Sequence, residues 1–133
     1  MLGELAGDFG LCISFECHGH TLTDSRESAI SLMGSVGGRN VRMHWQPYPG
    51  LPTSDCTDCL RSILPWLGHL HVWHWSVRTH DRLPLSEGET EWTSYLNIAR
   101  SAGGERFALL EFVRDDDPSR FSEDAATIRG WLR

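Results

Sequence analysis

Residues 69–75 read HLHVWHW, residues 84–92 read PLSEGETEW and residues 105–113 read ERFALLEFV, and the order of these three stretches decides the fold. The first and last are short and rich in β-branched and aromatic residues, which suits extended chain. Between them Trp92, Tyr95, Leu96 and Ala99 recur at helical spacing from Glu89 to Ala102, and Gly103 with Gly104 stops the run. A helix of that length carries the chain back to its starting end. His69–Trp75 and Arg106–Val113 are therefore expected to lie parallel in one sheet.

The same alternation extends outward in both directions. Upstream, Leu11–Cys17 and Val41–Gln46 read as strands of ordinary length. The helix expected over Asp24–Val36 puts Ala29, Ile30, Met33 and Val36 on one face and stops at Gly37 and Gly38. The helix expected over Ser54–Leu67 has Ser54 as N-cap, an apolar stripe of Cys56, Cys59, Leu60, Ile63 and Leu67, and a break at Pro65. Downstream, a last helix starts at Pro118 and buries Phe121, Ala125, Ile128 and Leu132. The sum is an α/β chain of four βα units in a single domain, residues 1–133. The loops Pro47–Pro52 and Ser76–Gly88 both follow a strand's C-terminal end and carry more polar and turn-forming residues than a connector requires.

At 133 residues and 40% hydrophobic, the chain can bury a core without staples. Its formal charge of -6 disfavours a phosphate backbone as partner, so no nucleic acid is expected. No apolar run is long enough to span a bilayer, and the opening MLGELAGDFG lacks the basic start and apolar centre of an export signal. The expectation is a cytoplasmic domain with no membrane partner, in which Cys12, Cys17, Cys56 and Cys59 stay reduced.

Side chains alternate across a strand, so each strand divides into an apolar and a polar face. Ile13, Phe15 and Cys17 oppose Ser14, Glu16 and His18. Val41, Met43 and Trp45 oppose Arg42, His44 and Gln46, and Leu70 and Val72 oppose His69 and His71. Glu111 interrupts the apolar run ALLEFV, where an unpaired charge is costly, so it needs a partner. Parallel strands bring their C-terminal ends to one rim, where Glu16, Gln46, His71 and Glu111 converge. Two carboxylates, an imidazole and an amide oxygen suit a divalent cation such as manganese, magnesium, cobalt or zinc.

The segments FECHG (15–19), NVRMHWQP (40–47), HLHVWHW (69–75), PLSEGETEW (84–92) and ALLEF (108–112) resemble successive strand motifs of the xylose isomerase-like sugar phosphate isomerase/epimerase superfamily. The resemblance covers nearly the whole chain and implies the C-terminal half of a TIM-type β/α barrel, four units where a full barrel has eight. In that family a glutamate, an aspartate, a histidine and a glutamate hold the metal. They correspond to Glu16, Gln46, His71 and Glu111, with Gln46 departing from the pattern. The resemblance further implies a sugar or sugar phosphate substrate, and Glu16 and Glu111 as the pair that moves a proton through an enediolate. A lone half-barrel exposes two sheet edges, so self-association or a complementary half-barrel is expected. The competing reading is a catalytically inactive half-barrel that binds metal or a partner chain.

Other residues invite functional readings beside plainer ones. Trp73 and Trp75 share the face of His71 and, with His18 and His44, are candidates to contact substrate. For each histidine a hydrogen-bonded structural role is the plain alternative. His74 is expected to face the helices, and Trp66, Trp92 and Trp131 to serve packing. The spacing of Cys56 and Cys59 fits a zinc site, but their place on a helical stripe favours packing. Asp115, Asp116 and Asp117 suit the dipole of the helix that follows. Glu16 and Glu111 could instead pair with Arg42 or Arg114 and serve shape alone.

Overall fold

The computed structural model describes residues 2–133. Four strands, β1 (Ile13–Glu16), β2 (Val41–Trp45), β3 (Leu67–Val72) and β4 (Ala108–Leu110), lie side by side in chain order. Every neighbouring pair is parallel. Helices α1 (Leu2–Asp8), α2 (Arg26–Val36), α3 (Thr53–Ile63), α4 (Glu89–Ser101) and α5 (Pro118–Trp131) alternate with the strands. Parallel strands in sequential order, joined by helices, are consistent with part of a β/α barrel. The described residues form an open four-stranded sheet, with β1 and β4 at its edges.

The predicted division of faces explains where the core sits. Val41, Met43 and Trp45 of β2 are buried, while Arg42 and His44 between them are partly exposed. The buried set packs with Cys56, Cys59, Leu60 and Ile63 of α3 and with Trp92, Tyr95 and Leu96 of α4. The polar face of the sheet is thus left for chemistry. No described helix is long and apolar enough to cross a membrane.

Several boundaries differ from the sequence reading, each for a local reason. β3 ends at Val72 rather than Trp75, because Trp75 leaves the ladder to pair antiparallel with Arg82 in the next loop. β4 is confined to Ala108–Leu110, although the Glu111 N–H still donates to the Val72 carbonyl at 3.2 Å. α3 begins at Thr53 behind Pro52, and Ser54 turns its hydroxyl to Asp55 instead of capping. Pro65 ends that helix in a tight turn, Leu64–Trp66. α2 is closed at its start by a reciprocal pair, Ser25 and Ser28.

Two helices bury narrower faces than their spacing predicts. On α2 only Ala29 and Met33 are buried, and Ile30 and Val36 remain 38% and 43% exposed, beside the edge strand β1. On α5 Phe121 is 54% exposed and Leu132 47%. Asp124 takes an inward place there, accepting the Leu85 N–H at 3.0 Å.

One irregularity positions the polar face. The register between β2 and β3 slips after Met43, so that Met43 faces Leu67 and His44 faces His69, with Gly68 as the extra residue. A Cβ on Gly68 would lie 3.1 Å from Arg42 Cβ and 3.3 Å from the Met43 carbonyl oxygen, so a side chain there would have to push its neighbours aside by a few tenths of an ångström. The slip turns His69 and His71 to the same face as His44 and Glu16.

Candidate metal centre

Glu16 ends β1, His71 lies one residue before the end of β3, and Glu111 follows β4 directly. All three therefore stand at the C-terminal rim of the sheet, as parallel strands require. Each offers one ligand atom, and these atoms lie within 4.8 Å of one another. His71 Nδ1 is central, 3.3 Å from Glu16 Oε1 and 3.6 Å from Glu111 Oε2. That nitrogen is buried yet makes no directed hydrogen bond. A buried imidazole nitrogen between two carboxylates, with no hydrogen-bond partner of its own, is a donor set that fits a divalent cation.

The electrostatics follow from crowding two carboxylates at a partly buried rim. Burial pushes the Glu111 carboxyl above the ordinary carboxylate range; His71 opposes the rise, and Glu16 adds to it. His44, whose ring lies 5.1 Å from His71 and 5.2 Å from His69, is pushed down by burial and then by those two imidazoles. A neutral imidazole is the form that can coordinate a metal or accept a proton.

Gln46 lies beside this group and is almost fully buried. Its Nε2 donates to Glu16 Oε1 at 3.2 Å and to the Cys17 carbonyl at 2.9 Å, while its Oε1 accepts the Trp73 indole N–H at 3.1 Å. In this arrangement Gln46 presents a donor to Glu16, and the oxygen expected to face a cation is held by Trp73. Trp73 is itself anchored, its carbonyl accepting the Trp92 indole N–H at 2.9 Å. Trp75 lies tilted against Trp73 at 4.8 Å and against Phe112 at 5.2 Å, so both predicted tryptophans stand at the rim. His18 is exposed in the loop after β1, with Nδ1 turned to the Gly19 carbonyl at 2.7 Å.

The pairing of Glu16 and Glu111 with arginine does not occur. Arg114 meets Asp115 at 3.4 Å, and Arg42 has no partner among the described residues. Cys56 and Cys59 are buried free thiols in the core, as the packing reading holds. Hydrogen bonding to Cys59, then burial, pushes the Cys17 thiol well up.

Three contributors were missed in the sequence. The Thr23 hydroxyl donates to the Glu16 carbonyl, and Tyr48 Oη donates to the Thr23 carbonyl at 2.5 Å, so two loops are tied to the strand end that carries the carboxylate. Arg82 lies over the Phe112 ring at 4.7 Å and pairs with Asp116, pinning the long loop after β3 to the loop after β4. A proline-flanked tyrosine and a threonine-rich loop gave some hint of the first pair; nothing near Arg82 signalled its partner.

Over part of its length the chain resembles a known enzyme. It is 27% identical over 77 residues to the 3-dehydroshikimate dehydratase of Bacillus anthracis. The match covers 53% of this chain and 26% of the relative, so the chain corresponds to about a quarter of that protein's length. No family model matches the sequence. The likeness points to the xylose isomerase-like superfamily and no further.

Proposed function

We propose that this chain is half of a β/α barrel and supplies the metal-binding rim of a divalent-metal-dependent enzyme that moves a proton beside a carbonyl on a sugar, sugar phosphate or related polyhydroxy compound. The observation that carries the reading is the buried, hydrogen-bond-free His71 nitrogen between Glu16 and Glu111. Those three residues would hold the cation, with manganese, magnesium, cobalt and zinc all compatible. When bound, it supplies polarisation of the substrate's carbonyl oxygen. Gln46 positions Glu16 through its amide N–H, and Trp73 fixes Gln46.

The carboxylates do the proton work in this account. Glu111, just beyond the edge strand and partly withdrawn from water, takes the proton from the carbon, and Glu16 holds or returns one across the site. Returning it to the neighbouring carbon gives an isomerase, and returning it to the same carbon from the opposite face gives an epimerase. The resemblance to a dehydratase favours a second outcome, in which the same carbanion expels hydroxide from the next carbon. Trp73, Trp75, His18 and His44 would contact the substrate, and further parallel strands, from a complementary half-barrel or a second copy, would complete the pocket along the open edges of β1 and β4.

Both outcomes begin with the same proton abstraction, which solvent deuterium reports. With manganese present, the protein is expected to incorporate deuterium beside the carbonyl of a ketose phosphate or of 3-dehydroshikimate, followed by proton NMR in heavy water. Glu111→Gln should slow the exchange about 10²- to 10⁴-fold. Metal binding without any exchange would leave the inactive, metal-binding half-barrel as the better account.

A further inference from the structure

A cavity of about 620 Å³ opens on the same face of the sheet but at the other end of the strands. Its lining includes Ser14, Arg42, His69 and Arg106, with Gly68 between them and Leu64 and Pro65 as an apolar wall. Its polar side chains are mostly donors. Arg42 is half-buried in a chain of net charge -6, yet no described residue pairs with its guanidinium. The Ser14 hydroxyl likewise makes no hydrogen bond among the described residues, and a Cβ on Gly68 would crowd Arg42, standing 3.1 Å from its Cβ.

Two more groups are oriented by the backbone. The Phe107 N–H donates to His69 Nδ1 at 3.0 Å, which makes that nitrogen an acceptor and places the ring proton on Nε2. Arg106 spends Nε on the Leu67 carbonyl at 3.3 Å and one terminal nitrogen on the Gly103 carbonyl, which leaves its other terminal nitrogen unengaged. Two guanidinium groups, an imidazole N–H and a hydroxyl thus converge on one cavity, with Glu105 the lone carboxylate among its lining residues.

We propose that this cavity binds a phosphate group, with Arg42 as its fork and Arg106, His69 and Ser14 as additional donors. A planar guanidinium with no protein acceptor matches two phosphate oxygens at once, and a hydroxyl and an N–H can serve the others. The site requires neither a metal nor turnover, so it stands apart from the function proposed above. Arg42 and Ser14 lie two residues before His44 and Glu16 on their strands, roughly 7 Å away at strand rise. A phosphate monoester whose carbon chain reaches the rim could therefore occupy both places; free phosphate would occupy only the cavity.

The test is a calorimetric titration of the metal-free, full 133-residue chain at low ionic strength with inorganic phosphate, glycerol 3-phosphate and acetate. The expected result is saturable one-site phosphate binding, weakened at least tenfold in Arg42→Met and unchanged in Arg39→Met, which removes an exposed charge elsewhere. Tighter binding of glycerol 3-phosphate than of inorganic phosphate identifies a monoester site, and the reverse order a free-phosphate site. Should Arg42→Met fail to fold, Arg42→Lys carries the same test, since it keeps the charge and loses the fork; weakening of tenfold or more is again expected. No saturable binding by the parent, equal loss in Arg39→Met, or acetate binding as tight as phosphate would overturn the assignment.

Discussion

His71→Ala is expected to weaken manganese binding by more than about 100-fold, beyond the roughly 10- to 100-fold loss typical when only an outer partner of a ligand is removed. His71 Nδ1 faces both carboxylates, at 3.3 and 3.6 Å, and is buried without a directed hydrogen bond. Removing the imidazole leaves Glu16 and Glu111 facing each other with no nitrogen between them, and two exposed-side carboxylates hold a cation weakly. Thermal unfolding with and without metal reads the same change. For the parent, manganese at 100 times its Kd adds about 2.7 kcal/mol to the stability of the folded form, and the variant should show almost none of it at that concentration. A change below threefold would mean that the histidine is not a ligand.

Trp45→Ala is expected to cost about 3–5 kcal/mol, a large share of the roughly 5–15 kcal/mol that holds a domain folded. Trp45 ends β2 fully buried, edge-on to Tyr95 at 4.9 Å and to Trp92 at 6.4 Å, so it joins the sheet to α4. Its indole nitrogen is buried without a hydrogen bond, so Trp45→Phe sacrifices little polar interaction and should be far milder. Urea midpoints for the three proteins decide the matter. A loss below about 1 kcal/mol in the alanine variant would mean that the layer between β2 and α4 repacks without it.

The parts of this structure that were legible in the sequence are those in which a single period governs a whole element. The alternation of Val41, Met43 and Trp45 with Arg42 and His44 identifies β2 and its two faces, and the spacing of Trp92, Tyr95, Leu96 and Ala99 identifies α4. Glu111 was recognisable because a charge in ALLEFV demands a partner, and Glu16 because it ends a strand on the polar face. What a period does not encode was missed. The register slip at Gly68 falls where a Cβ would stand only 3.1 Å from Arg42 Cβ on the neighbouring strand. Ile30, Val36 and Phe121 fit their helical stripes, yet they remain 38%, 43% and 54% exposed, and a period does not say how much of a stripe its neighbours cover. For Gln46, position was readable but role was not: which end of the amide meets Glu16 depends on the Trp73 indole, brought to it by a different strand.

The two ends of the polar face also differ in a way that residue types alone conceal. At the rim, carboxylates outnumber cations and surround one imidazole; at the opposite end, guanidinium groups outnumber carboxylates around an open cavity. One end suits a cation and the other an anion, on a single sheet whose other face is buried under helices.

The central claim is that Glu16, His71 and Glu111 form one metal site, and calorimetric titration of the metal-free protein with manganese tests it most directly. The account predicts saturable binding at one site, abolished in the Glu16→Gln, Glu111→Gln double variant while the far-ultraviolet circular dichroism of the two proteins stays the same. Absence of saturable binding by the parent, or equal binding by the folded double variant, would contradict it.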